Sequence, residues 1–97
     1  MELQLEGWLL LAALARSPRP RSSQSLLDEV CPRPNAKRPH RRWVIRRVHL
    51  AAEFRSLQSL LLIESAVRVR RRRGEVFEVT DAGRQVLADA ADMRPRP

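Results

Sequence analysis

Little in this chain equips it for catalysis, crosslinking or membrane insertion. Its 97 residues hold one cysteine, two histidines, three glycines and no tyrosine. A lone Cys31 excludes an intramolecular disulfide and a cysteine-rich metal site, so a reducing cytoplasm is the expected compartment and an inert thiol the expected state. Gly7, Gly74 and Gly83 are too scattered to build a phosphate-binding loop. His40 and His49 stand among Arg41, Arg42, Arg46 and Arg47, a setting that disfavours a cationic metal. Asp28 and Glu29 are neighbours on a short helical stretch, better suited to capping or solvation than to acid–base work. No acid, base, nucleophile or ligand set converges in sequence, so the expectation is a non-enzyme without metal or cofactor. The apolar run from Trp8 to Ala15 is too short to span a bilayer, and it follows Glu2 and Glu6 instead of a basic start, unlike a secretory leader.

Aromatic residues are equally sparse: Trp8, Trp43, Phe54 and Phe77, with leucine and valine making up most of the apolar set. A chain of this length supports one modest core. The expectation is a single domain over residues 1–97, mainly helical with a small β-hairpin. Residues 17–22 and 31–39 read as basic, proline-rich connectors, and residues 93–97 as a frayed tail.

What the chain has in abundance is positive charge. Nineteen basic residues against eleven acidic give a net charge of +8, and Lys37 is the only lysine among them. Codon usage in a G+C-rich genome also favours arginine over lysine, so the net charge is more informative than the ratio. Residues 16–47 carry +8 and residues 66–74 carry +5, whereas residues 1–15, 48–65 and 75–97 are each slightly negative. Basic blocks segregated in this way are the footprint of a surface for a polyanion, most often nucleic acid; the plainer reading is a well-solvated basic face.

Helical periodicity accounts for most of the apolar pattern. Leu3, Trp8, Leu11 and Ala15, with Leu10 and Leu14 beside them, gather on one side of a first helix that ends before Ser17-Pro18-Arg19-Pro20. Apolar residues nearly encircle that helix, which points to deep burial or to sharing with a second subunit. A short second helix begins at Ser22 or Ser23 and carries Leu26, Leu27 and Val30. From about Pro39 to Ser59, Trp43, Leu50, Phe54, Leu57 and Leu61 share a narrow arc, with Arg42, Arg46, His49, Glu53 and Ser56 opposite. Val44, Ile45 and Val48 also suit an extended segment, so a break near Val48 stays open. Val86, Leu87, Ala90 and Met93 give a last amphipathic helix.

Residues 66–80 read as a two-stranded hairpin. Val67 and Val69 alternate with Arg68 and Arg70 on one arm, and Phe77 and Val79 with Glu78 and Thr80 on the other. Arg71, Arg72, Arg73 and Gly74 reverse the chain at a tip expected to project into solvent. Thr80 is placed to cap the following helix, and Asp81 to complement the positive end of its dipole.

This order of elements carries a resemblance. Phe54-Arg-Ser-Leu-Gln-Ser-Leu-Leu-Leu-Ile63 resembles the end of a recognition helix and the start of the wing in winged helix-turn-helix regulators. Gly74-Glu-Val-Phe-Glu-Val-Thr-Asp-Ala-Gly-Arg84 is similar to the second wing strand and helix cap of the PadR and MarR groups, and Gly7 to Arg16 is similar to the first helix of PadR-like proteins. The likeness spans most of residues 7–90. It departs from the pattern at Leu61, where a glycine is usual, at Arg21-Ser22-Ser23, where a Gly-Tyr pair is usual, and in the long connector from Cys31 to Pro39.

The resemblance implies three helices, a two-stranded wing and a C-terminal helix, in a cytoplasmic, nucleoid-associated bacterial or phage-type transcriptional regulator such as a repressor. Duplex DNA would be the partner. Independently of the resemblance, apolar surface on the first and last helices beyond what one small domain covers favours a homodimer through those helices. On the DNA-binding reading Arg41, Arg42, Arg46, Arg47 and His49 serve the major groove, and Arg68, Arg70, Arg71, Arg72 and Arg73 the minor groove or the phosphates. Glu53 would accept from cytosine, orient an arginine, pair with Arg46 or Arg47 within the helix, or stay solvated. Trp43 and Phe54 belong to the core, which argues against base stacking on RNA. The alternative is a winged-helix accessory or inhibitory factor that turns its basic surface to acidic protein or nucleoprotein partners.

Overall fold

The computed structural model describes residues 3–35, 37–38, 40–66 and 75–92. Those residues form four helices and a three-stranded antiparallel sheet: α1 (Leu5–Arg16), β1 (Arg21–Ser22), α2 (Ser23–Val30), α3 (Arg41–Ser59), β2 (Ile63–Ser65), β3 (Val76–Val79) and α4 (Asp81–Asp92). The sheet order is β1-β3-β2.

Each helix boundary has a local cause. α1 stops where the Ser17 hydroxyl donates to the Ala13 carbonyl and the Ser17 N–H to Leu14, ahead of Pro18 and Pro20. The Ser22 side chain accepts from the Ser25 N–H and opens α2. Thr80 does the same for α4, accepting from the Gly83 N–H at 3.1 Å. Helix α3 runs unbroken through Val48, so Val44, Ile45 and Val48 belong to a helix and not to an extended segment.

The core is a leucine cluster beneath the sheet. Leu10, Leu11 and Leu14 of α1, Leu26 and Leu27 of α2, Leu50, Phe54 and Leu57 of α3, and Leu62, Ile63, Phe77 and Val79 are all buried. Phe54 meets Phe77 edge to face with centroids 4.8 Å apart, which locks α3 to β3. Trp43 is half-buried at the margin, its indole N–H donating to the Cys31 carbonyl at 3.3 Å. Cys31 itself is buried and unpaired.

Two expectations about the sheet need correction. The first arm of the hairpin begins at Ile63, earlier than residue 66: Ile63 pairs with Val79, Glu64 with Glu78 and Ser65 with Phe77, and the Ala66 N–H reaches the Val76 carbonyl. The sheet also has a third strand, β1, with Arg21 opposite Phe77 and Ser22 opposite Val76. Two residues carry no alternation to read in a sequence. They become a strand because the free edge of β3 needs donors and acceptors. Val67 and Val69, and the tip from Arg70 to Gly74, lie outside the described residues.

A third correction concerns Leu61, which was expected on the buried arc and is 71% exposed. The helix ends at Ser59, so helical spacing no longer governs the side chain. Leu61 takes φ 58, the left-handed conformation. Its N–H donates to Gln58 and that of Leu62 to Leu57, a Schellman arrangement in which buried Leu62 and Leu57 supply the apolar contact. Leu61 thus occupies the place where the resemblance leads one to expect glycine.

Candidate functional site

The strongest concentration of exposed cations on a described element is the outer side of α3. Arg41, Arg42, Arg46 and His49 are exposed there, as is Arg55 one turn from the helix end. None of the ion pairs among the described residues involves Arg41, Arg42, Arg46 or Arg55. The first turn of α3 contains no acidic residue, and its N-cap, His40, makes no side-chain hydrogen bond. Two arginines beside the positive end of a helix dipole repel it, and a bound anion relieves both at once.

Other basic residues are committed to holding the domain together. Arg21 is a hub between β1 and α2: it donates to Glu29 at 2.6 Å, to the Ser25 hydroxyl and carbonyl, and to the Ser17 hydroxyl. Arg16 lies 3.6 Å from the same Glu29. Arg47, grouped with the groove-facing residues in sequence, instead faces α2. Its guanidinium donates to Asp28 at 2.7 Å, lies 5.5 Å from the Trp43 ring centroid, and is only 17% exposed. One of its terminal nitrogens, Nη2, is buried without a hydrogen-bond partner. Arg47 therefore couples α3 to α2, and its charge is largely shielded from the outer surface.

Glu53 is also turned inward. It is half-buried, and a Cβ added to Gly7 would come within 3.1 Å of its carboxylate, so it rests against the start of α1. It forms no ion pair with Arg46 or Arg47 among the described residues. Glu53 is the only acidic residue of α3, so the exposed face of that helix presents cations without an opposing carboxylate.

The centre of that face holds an apolar ridge that the sequence reading did not assign to the site. Val44 and Ile45 are each 45% exposed and Val48 61%, and Ala52 is exposed on the next turn. The signal was present in the wheel, since all four positions miss the arc of Trp43, Leu50, Phe54 and Leu57. Beside the start of α3, a shallow groove is lined by Pro32, Pro34, His40, Arg42 and Trp43, and exposed Arg33, Lys37 and Arg38 extend the basic surface along the connector. Arg68, Arg70, Arg71, Arg72 and Arg73 lie outside the described residues.

Among the described residues no cluster of His, Cys, Asp or Glu could hold a metal ion, and no helix is long and apolar enough to cross a membrane. Comparison with protein-family models, curated proteins and solved structures finds no match to this chain.

Proposed function

We propose that this chain is a sequence-specific duplex-DNA-binding regulator of the winged helix-turn-helix type, with α3 entering the major groove. The observation that carries the reading is the outer face of α3: Arg41, Arg42 and Arg46 stand exposed, while the helix's single carboxylate, Glu53, is half-buried beside Gly7. A cationic helix of this width fits the B-DNA major groove, and its exposed arginines can reach phosphates or guanine edges. The order helix, strand, helix, helix, strand, strand, helix, with β3 between β1 and β2, supports the winged-helix assignment. The arginines of residues 68–73, outside the described residues, would add phosphate or minor-groove contacts.

Self-association through α1 and α4 belongs to the same proposal. Leu5 is 68% exposed and Leu9 is also exposed on α1, and α4 leaves Val86, Leu87 and Ala90 half-buried. A two-fold dimer would read two half-sites. Sedimentation should then show a dimer that the paired substitutions Leu5→Glu and Leu9→Glu reduce to a monomer.

A salt series on labelled duplex DNA tests the main reading. Affinity should fall steeply with salt, and removing Arg41, Arg42 or Arg46, where it contacts a phosphate, should flatten the slope of log K against log salt by about 0.9 each. The exposed valines and isoleucine of α3 favour a second reading, a protein-binding module with an acidic partner. Absent or salt-insensitive duplex binding would select it.

A further inference from the structure

We infer that the ridge Val44, Ile45, Val48 and Ala52 is a specificity element that reads the C5-methyl groups of thymine. This inference rests on the major-groove reading of α3 and adds to it the chemical feature recognised.

Side-chain size along the exposed face is the first support. At 100° per residue the four ridge positions fall within an arc of about 100°. Arg41 closes that ridge at its N-terminal end and Arg55 at its C-terminal end, while Arg42, Arg46 and His49 run along one flank. Short side chains therefore occupy the middle of the face, with long cationic ones along one flank and at the two ends. A helix with its side chains is roughly as wide as the major groove, so short central residues let the backbone approach the base edges. The arginines on that flank and at the ends are long enough to reach phosphates.

Chemistry then narrows what the middle can read. Val44, Ile45, Val48 and Ala52 have no side-chain hydrogen-bonding groups, and the thymine methyl is the one apolar group on a base edge of the major groove. Valine and isoleucine are stiff at χ1, so ordering them against a methyl costs little entropy. A second copy of the chain fits this face less well. Pairing two such ridges would bring Arg41, Arg42, Arg46 and Arg55 of both copies together without an acidic residue between them.

The experiment begins with selection of a preferred site from randomised duplexes using the full chain. Each thymine of the selected site is then replaced singly by deoxyuridine, which removes the methyl and leaves every hydrogen bond in place. At one or more positions the substitution should weaken binding about three- to fivefold, the effect expected for exposing one methyl-sized group. The variant Val44→Ala/Val48→Ala, altered only at exposed positions, should keep its salt slope on the same duplex and lose sensitivity to deoxyuridine.

If every deoxyuridine duplex binds within twofold of its parent while salt-dependent binding persists, the inference falls and the DNA-binding reading stands. A selected site without thymine has the same consequence. Absence of any duplex binding overturns both. A dimer that the Val48→Asp variant alone dissociates would assign the ridge to self-association and overturn the inference.

Discussion

The Thr80 hydroxyl donates to the Leu61 carbonyl at 2.6 Å and accepts from the Gly83 N–H at 3.1 Å, so one side chain closes the end of α3 against the start of α4. The Thr80 backbone N–H adds a bond to Leu62. Replacing Thr80 by valine keeps the shape and removes both side-chain bonds. The expected cost is about 1–2 kcal/mol, read as a lower urea midpoint, and Thr80→Ser should recover most of it. A loss in Thr80→Ser with little or none in Thr80→Val would mean that the methyl group, and not the hydroxyl, matters.

Leu61 should be improvable. At φ 58 a leucine pays a steric cost that glycine avoids, and an exposed side chain has little packing to lose. Glycine also adds entropy to the unfolded chain, which offsets part of the gain. Leu61→Gly is expected to raise stability by about 0.5–1 kcal/mol, with an unchanged denaturant slope. A lowered midpoint would show that the leucine side chain contributes contacts of its own.

Gly83 stands at the closest approach between α4 and the strand region. A Cβ there would lie 2.2 Å from the Leu62 carbonyl oxygen and 2.8 Å from a Val79 methyl carbon. Backbone cannot yield as a flexible side chain does, so Gly83→Ala should cost about 3 kcal/mol or more. Thermal unfolding measures it, and a wild-type midpoint would contradict the packing of α4 described above.

Neighbouring arginines should separate stability from binding. Arg47→Ala removes the bond to Asp28 and the cover over Trp43, and should destabilise the domain by about 1–2 kcal/mol. Arg46→Ala touches an exposed side chain outside any ion pair among the described residues, and should change stability by less than about 0.5 kcal/mol. The same Arg46 variant should weaken duplex binding. Denaturation and anisotropy on both variants provide the comparison, and identical profiles would refute the division of roles.

The sequence alone carried most of the helical frame, because its signals are short-ranged. Ser17 with Pro18 and Pro20 ended α1, Ser22 opened α2, and Thr80 with Asp81 opened α4, each through bonds made within a few residues. The spacing of Leu50, Phe54 and Leu57 identified the buried side of α3 for the same reason. Tertiary structure alone decided what depends on partners far along the chain. Arg21 and Ser22 became a strand only because β3 offered an unpaired edge, and Leu61 turned left-handed only because Leu62 had to enter the core. Arg47 and Arg46 are adjacent arginines with the same intrinsic chemistry. Asp28 and Trp43 draw the first inward, the second stays exposed on the outer face, and only the packing of α3 against α2 distinguishes them.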